Sequence, residues 1–328
     1  MNHMLTKKTQ QMERRNFIKK ALITTGALSV ASTEDFMSAI NKQATVIPDY
    51  PTNTNSLMEN SSPLHKSIMW GTIGVKGPVL EICKAIKTAG FDGIEPNSHM
   101  DRNEVLDAMK ATGLKASSVC NSKHWETLMS NPDVNERQKG IENMIIAMED
   151  AKAYGTDAVL LVPGRVDENT SYEDCWKRST ECVKELVPLA EEMRIKICIE
   201  NVWNNFLLSP IEMRVYLDQF NSPYVGMYFD CGNILVYGWP EQWISTLGNR
   251  IARIHIKEFS KQKAEKEGRG AGFNVKLTEG DVRWKEVMTE IRRSYTGGWL
   301  TTEQGSSDSA DELKDLCRRF DKILAIGK

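Results

Sequence analysis

The sequence lacks three features that would assign it to common classes of protein. None of its seven cysteines forms a Cys-x-x-Cys pair, and their odd number argues against a disulfide framework. Most of them stand at apolar positions of predicted helices or strands, where a free cysteine behaves as a small hydrophobic residue. The body of the chain has no basic run that would bind nucleic acid. Gly71-Thr-Ile-Gly74 lacks the spacing and the acidic partner of a dinucleotide-binding turn, so we expect no nicotinamide or flavin cofactor.

The N-terminus carries much of the positive charge. The first 32 residues hold six lysines and arginines against Glu13, so the remainder has a charge of −7 although the whole chain has −2. Arg14-Arg15-Asn-Phe-Ile-Lys-Lys20 precedes an uncharged stretch, residues 21–31, and residues 1–32 together resemble a twin-arginine signal peptide for export to the periplasm. The apolar stretch is too short for a stable membrane anchor. A basic amphipathic helix or a disordered tail is the alternative. Residues 33–64, rich in Ser, Thr, Asn and Pro, are predicted to be a linker of low order.

Strand-like and helix-like segments alternate from Ser67 to the C-terminus. The strand-like segments are short apolar runs, typical of buried strands in a parallel sheet. Eight strand–helix units within about 260 residues predict a single (β/α)₈ TIM barrel over residues 65–328; an open, doubly wound sheet is the alternative. The polar segment with Gly268, Gly270 and Gly272 follows a strand but starts no predicted helix, so we expect a flexible loop there.

Four consecutive predicted strands carry, at or near their carboxyl ends, a residue that can bind a metal ion. In a barrel these ends share one rim, so the four side chains would converge on one ion. Three carboxylates and one imidazole suit a divalent cation, Mn²⁺ or Mg²⁺ more than Co²⁺ or Zn²⁺. Singly, each residue could instead be a helix cap, a surface charge or a hydrogen-bonded histidine, but their recurrence favours a metal site. The four are Glu200, Asp230, His255 and Glu303.

The segments around these residues resemble the xylose isomerase-like barrel family, which includes sugar isomerases and epimerases. The resemblance implies that all four residues are metal ligands and that Glu200 and Glu303 are also the catalytic acid/base pair. It implies an isomerase or epimerase that removes a proton next to the carbonyl of a free ketose or related sugar, through an enediolate. The matching segments are Ile199-Glu200-Asn201, Phe229-Asp230-x-Gly232, Ile254-His255-Ile-Lys-Glu258, Glu279-Gly-Asp-Val-x-Trp284 and Thr302-Glu303.

Eight further residues are candidates for binding the sugar, because each follows or lies near the end of a predicted strand. For Glu95 a helix cap is the alternative, and for Arg165 a surface salt bridge. The eight are Glu95, His124, Trp125, Arg165, Trp203, Asn204, Asn233 and Lys257.

The sequence departs from the family pattern after Asp230. Many epimerases of the family have Asp-x-x-His there, whereas this chain has Asp230-Cys-Gly-Asn233, and an asparagine cannot change charge near neutral pH. The second hypothesis is therefore a metal-dependent lyase or dehydratase that acts on a 3-keto-glycoside or an inosose. An exported enzyme would meet free sugars or glycosides, because sugar phosphates are cytoplasmic metabolites.

Two functions of other classes are weaker alternatives. The barrel also resembles endonuclease IV, a phosphodiesterase whose metal cluster requires more histidines than this chain offers, and the acidic body would repel DNA. A non-catalytic carbohydrate-binding barrel would not require both Glu200 and Glu303. The family resemblance implies that identical chains can associate, although no stripe of the sequence indicates an interface.

Overall fold

A computed structural model of the chain describes residues 63–305 and 308–328, to which all structural statements below refer. The twin-arginine-type segment and all but the last two residues of the predicted linker lie outside the described residues. Nine parallel strands form one sheet, in the order β3-β2-β1-β9-β8-β7-β6-β5-β4. The strands are β1 (His65–Met69), β2 (Gly93–Glu95), β3 (Lys115–Ala116), β4 (Val119–Cys120), β5 (Ala158–Leu161), β6 (Lys196–Glu200), β7 (Val225–Asp230), β8 (Ile251–Ile256) and β9 (Trp299–Thr302).

The sheet curls into a nearly closed barrel. The predicted third strand is interrupted between Ala116 and Val119, so that β3 pairs with β2 and β4 pairs with β5. A parallel bridge between Asn97 and Cys120 joins the two edges. The predicted barrel is therefore confirmed, with a short break in its third strand.

Helices cover the outside of the barrel, as βαβ connections require. Polar caps start several of them; for example, Asp101 and Ser171 accept hydrogen bonds from backbone N–H groups of the first turn. None of the described helices is long and apolar enough to cross a membrane. The helices are α1 (Val79–Ala89), α2 (Arg102–Thr112), α3 (Val134–Tyr154), α4 (Tyr172–Met193), α5 (Pro210–Asp218), α6 (Cys231–Ile234), α7 (Pro240–Leu247), α8 (Lys261–Glu267), α9 (Trp284–Ser294) and α10 (Ala310–Ala325).

The segment predicted as a flexible loop is instead helical. It forms α8 and a 3₁₀ turn, Arg269–Phe273. The side chain of Ser260 caps α8, and its backbone N–H donates to the carbonyl of Gly272. Gly272 packs so closely on Phe259 that an added Cβ would lie 2.3 Å from the ring. The segment is thus fixed on the barrel rim beside β8, and the prediction was wrong.

All seven cysteines are buried and free. They are spread over strands and helices around the barrel, where they pack as small hydrophobic residues.

Candidate metal centre and active site

The four predicted metal ligands lie together at the carboxyl ends of adjacent strands. Glu200 ends β6, Asp230 ends β7, His255 lies in β8 and Glu303 directly follows β9. In the register of the sheet, Asp230 pairs with His255. One ligand atom from each residue can be chosen so that all four atoms lie within 4.8 Å of one another. The topology therefore brings four residues separated by up to about a hundred positions onto one small part of the rim.

The carboxylates converge on one nitrogen of His255. Its Nδ1 lies 3.1 Å from Oε1 of Glu200, 3.0 Å from Oε2 of Glu303 and 3.9 Å from Oδ2 of Asp230. Asp230 and His255 are fully buried, and only 19% of the Glu303 side chain is exposed. Three buried carboxylates at this separation repel one another unless a positive charge lies between them.

Two buried oxygens of this cluster have no hydrogen-bond partner among the described residues. They are Oδ2 of Asp230 and Oε2 of Glu303. A buried carboxylate oxygen without a partner costs free energy, so such atoms are normally paired or coordinate a metal. The oxygen-rich donor set with one imidazole is also what Mn²⁺ or Mg²⁺ prefers. The residues present therefore fit a divalent cation.

The surroundings shift the two glutamate pKa values in opposite directions. Burial raises the pKa of Glu200 above its ordinary value. Burial alone would do the same to Glu303, but the Lys257 ammonium, whose Nζ lies 2.9 Å from Oε1, and His255 hold the pKa of Glu303 below its ordinary value. Burial also raises the pKa of Asp230 well above its ordinary value. Glu303 is thus the most readily ionised of the three carboxyl groups.

Glu95 lies behind His255 rather than on the open rim. It ends β2, is fully buried, and its Oε2 lies 2.8 Å from Nε2 of His255. Its Oε1 accepts a hydrogen bond of 2.8 Å from Oγ of Ser118. Because both oxygens are engaged and none is exposed, the prediction that Glu95 contacts a sugar is corrected: it contacts the histidine of the cluster.

His124 and Trp125 lie beside the cluster, on the loop after β4. His124 is buried, and its Nδ1 accepts a hydrogen bond of 3.4 Å from the backbone N–H of Val162. Burial lowers the pKa of His124 to about 4, so the ring is neutral near pH 7 with its proton on Nε2. The Trp125 ring meets it edge-on, with 5.6 Å between ring centroids, and is 45% exposed. This pair presents one hydrogen-bond donor and one exposed aromatic face.

Lys257 and Asn233 line the other side. The Lys257 ammonium contacts Glu303 and lies 3.7 Å from Oδ2 of Asp230 and 3.5 Å from Oδ1 of Asn233. The Asn233 amide nitrogen donates to the Asn201 carbonyl, so the amide oxygen, rather than a donor, faces Lys257.

Three other predicted sugar-binding residues hold the surrounding loops. The Asn204 side chain is buried, donates to the carbonyl of Gly164 at 2.7 Å and accepts from a backbone N–H, so it fixes the loop instead of lining a pocket. The Trp203 indole nitrogen donates to the Asn233 carbonyl. Arg165 is exposed and pairs with Asp167, which is the salt bridge considered as its alternative.

Sequence reasoning missed the structural roles of Asn201 and Glu258. Asn201 exchanges two hydrogen bonds with the backbone of Asp230, at 2.8 and 2.9 Å, and so fixes the distance between β6 and β7. Glu258 accepts hydrogen bonds from the backbone of Phe259, Thr278 and Val282 and from the indole of Trp284. The last three of these contacts explain the Gly-Asp-Val-x-Trp segment. The signal that could have pointed to them is their position: Asn201 directly follows the predicted ligand Glu200, and Glu258 lies three residues after the predicted ligand His255.

Comparisons with known proteins agree with this architecture. A family model for the xylose isomerase-like TIM barrel matches residues 83–323. The L-ribulose-5-phosphate 3-epimerase UlaE of Escherichia coli K12 is 24% identical over 262 residues, which cover 75% of this chain and 89% of the epimerase. The crystal structure of 3-keto-D-glucoside 4-epimerase YcjR from E. coli has a TM-score of 0.68 at 14% identity. That of D-psicose 3-epimerase from Clostridium cellulolyticum H10 with D-tagatose has a TM-score of 0.66 at 15% identity. Each likeness covers 80% of this chain and 99% of the other, and shows the shared fold.

Proposed function

The chain belongs to the xylose isomerase-like TIM barrel family, and we propose that it is a divalent-metal-dependent sugar isomerase or epimerase. Its named relatives are sugar epimerases. We propose that this chain acts on a free ketose or a related sugar by removing a proton next to the carbonyl and returning it to the same or the neighbouring carbon.

The observation that carries the proposal is the convergence of four metal-binding side chains on one small part of the rim, with Glu200 and Glu303 on the two outer strands of the four. Two carboxyl groups on either side of a bound sugar are suited to act as acid and base in the same reaction. Glu303 is held ionised and can accept a proton. Glu200, at the other end of the ligand set, can serve the opposite face of the reacting carbon. A sugar bound between them would present one face of its reacting carbon to each carboxyl group.

Other residues of the chain would orient the sugar. The Nε2–H of neutral His124 can donate a hydrogen bond to a hydroxyl or carbonyl oxygen, and the exposed ring of Trp125 can pack on the apolar face of a sugar ring. Lys257 supplies a fixed positive charge beside Glu303. Glu200, Asp230, His255 and Glu303 would hold the cation, which when bound stabilises negative charge that develops on the sugar oxygens.

Proton exchange in D₂O tests the proposal. Purified protein with Mg²⁺ is incubated with a panel of free ketoses, their epimers and 3-keto-glucosides, with and without a chelator, and deuterium uptake is followed by NMR. We expect chelator-sensitive uptake at the carbon next to the carbonyl. Glu200→Gln and Glu303→Gln should each lower interconversion by about 10²- to 10⁴-fold.

The two variants should also differ from each other. If one carboxyl group serves each face, each variant keeps exchange for one epimer and loses it for the other. Glu126→Gln is the matched control, because Glu126 is an exposed glutamate on the loop after β4. This variant should exchange deuterium into both epimers. Near wild-type turnover in both site variants would refute the proposal.

A lyase or dehydratase acting on a 3-keto-glycoside or an inosose is the second candidate, and the residue at position 233 favours it. Asn233 has its amide nitrogen engaged with the backbone and cannot transfer a proton as a histidine could. The same carboxyl groups could then remove a proton and allow a neighbouring substituent to leave. In the exchange experiment, release of an aglycone or of water from the sugar would identify this reaction.

We further propose that the protein is exported to the periplasm through the segment around Arg14-Arg15. The double substitution Arg14→Lys with Arg15→Lys in the full chain should retain the protein in the cytoplasm, as measured by cell fractionation. Association of identical chains is tested by light scattering of the purified protein.

A further inference from the structure

The carboxylate of Glu95 approaches the cluster from within the barrel. Its Oε2 lies 2.8 Å from Nε2 of His255, on the opposite side of the imidazole from the three other carboxylates. Neither Glu95 nor His255 has any exposed side-chain surface. The imidazole therefore has carboxylate oxygens close to both of its nitrogens.

This arrangement decides which nitrogen of the imidazole keeps its proton when the other nitrogen binds a cation. Oε2 of Glu95 is placed to accept a hydrogen bond from Nε2, which keeps the ring proton there and leaves Nδ1, on the side of the other carboxylates, to bind the cation. Without Glu95, the proton could occupy either nitrogen, and Nε2 would be buried without a partner.

A second set of contacts fixes Glu95 itself. Its other oxygen accepts a hydrogen bond from Ser118, which lies in the break between β3 and β4. The Ser118 hydroxyl lies 3.0 Å from the hydroxyl of Tyr228, and the Tyr228 ring packs on His255 with 4.3 Å between ring centroids. Serine and tyrosine thus hold both the carboxylate and the imidazole in one orientation.

We propose that Glu95 is a positioning residue that prepares Nδ1 of His255 to bind the divalent cation. The inference rests on the proposed metal-dependent function but concerns a residue outside the ligand set. Hydrogen-bond partners behind a metal-binding histidine typically account for 10- to 100-fold of metal affinity.

Calorimetric titration of Mn²⁺ into the purified full chain provides the first test. Glu95→Gln, which keeps the size but can donate as well as accept, should weaken Mn²⁺ binding by about 10- to 100-fold. Ser118→Ala, which keeps the carboxylate but loosens it, should weaken binding in the same direction and by less. Asp150→Asn is the matched control, because Asp150 is also a buried carboxylate but pairs with Arg102 on the outer helices; its Mn²⁺ affinity should equal that of the wild type.

A spectroscopic measurement separates positioning from a loss of packing. The chain has five histidines, so ¹⁵N-histidine NMR with diamagnetic Mg²⁺ can resolve the ring tautomers. We expect Mg²⁺-bound His255 to carry its proton on Nε2 in both proteins, with the ¹⁵N shift of Nε2 displaced by the hydrogen bond to the Glu95 carboxylate in the wild type and less displaced in Glu95→Gln.

The outcomes are distinct. Unchanged Mn²⁺ affinity in a folded Glu95→Gln variant would overturn the inference and leave the proposed function standing. If that variant does not fold, undiminished affinity in Ser118→Ala would have the same meaning. A wild-type protein that binds no Mn²⁺ would refute both the inference and the metal dependence of the proposed function.

Discussion

Protonation of His124 should weaken the folded state as the pH falls below about 6.5. In the fold, burial lowers the pKa of His124 to about 4, whereas an unfolded histidine titrates near about 6.5. Between these values the unfolded chain binds a proton that the folded chain does not. The stabilisation is therefore complete above the unfolded pKa and is lost as the pH falls toward the folded one.

The structure sets the size of this effect. The interval between the two pKa values is about 2.5 pH units, and each corresponds to about 1.4 kcal/mol. At pH 4, where the folded ring is half protonated, the free energy of unfolding should have lost about 3 kcal/mol through this residue alone. Only 6% of His124 is exposed, so solvent screens little of this electrostatic effect.

Urea unfolding of the wild type and of His124→Gln between pH 7 and pH 4 measures the effect. The amide oxygen of glutamine can still accept the hydrogen bond from the Val162 N–H. Carboxyl groups titrate in both proteins, so the difference between them isolates the histidine. We expect the wild type to lose about 3 kcal/mol more than the variant. Parallel pH dependences would show that His124 is not buried as a neutral ring.

Two further predictions concern the cluster and its support. Addition of Mn²⁺ at about a hundred times its dissociation constant should raise the free energy of unfolding by about 2.7 kcal/mol and the melting temperature by about 5–10 °C. In a thermal melt, Asp230→Asn should lose most of this shift. An equal shift in both proteins would show that the cation binds elsewhere. Glu258→Gln should lower the free energy of unfolding by about 2–3 kcal/mol, because it removes a charged acceptor from four N–H donors. A urea midpoint equal to that of the wild type would contradict this.

The order of the strands and the residues at their ends could be predicted because both depend on local patterns. Apolar runs ending in Glu200 and Asp230 predict buried strands with polar ends, and a parallel barrel places all such ends on one rim. The grouping of the four candidate ligands followed from that rule without knowledge of any single contact.

Roles that depend on which way a side chain points could not be predicted. Glu95 ends a strand as Glu200 does, but it lies across the barrel and contacts the far side of His255. The buried amide of Asn204 binds the Gly164 carbonyl, 40 residues away in sequence. Neither the hydrophobic period of the sequence nor the position of a residue along a strand specifies such partners.

The helix α8 is a different case, because its local signal was present. Residues 261–267 consist of lysine, glutamine, alanine and glutamate, which all favour helices, and Ser260 caps them. The nearby glycines suggested flexibility, but Gly272 is required by its contact with Phe259 rather than by a mobile backbone.

The seven buried thiols can report where the barrel opens transiently. Because every cysteine is free and covered in the fold, a thiol-modifying reagent can react only when the surrounding segment transiently opens. Mass spectrometry of each labelled cysteine would then give a rate of opening for the strand or helix around it, from Cys120 in β4 to Cys317 in α10. The order in which parts of the barrel open could thus be measured in the wild-type protein.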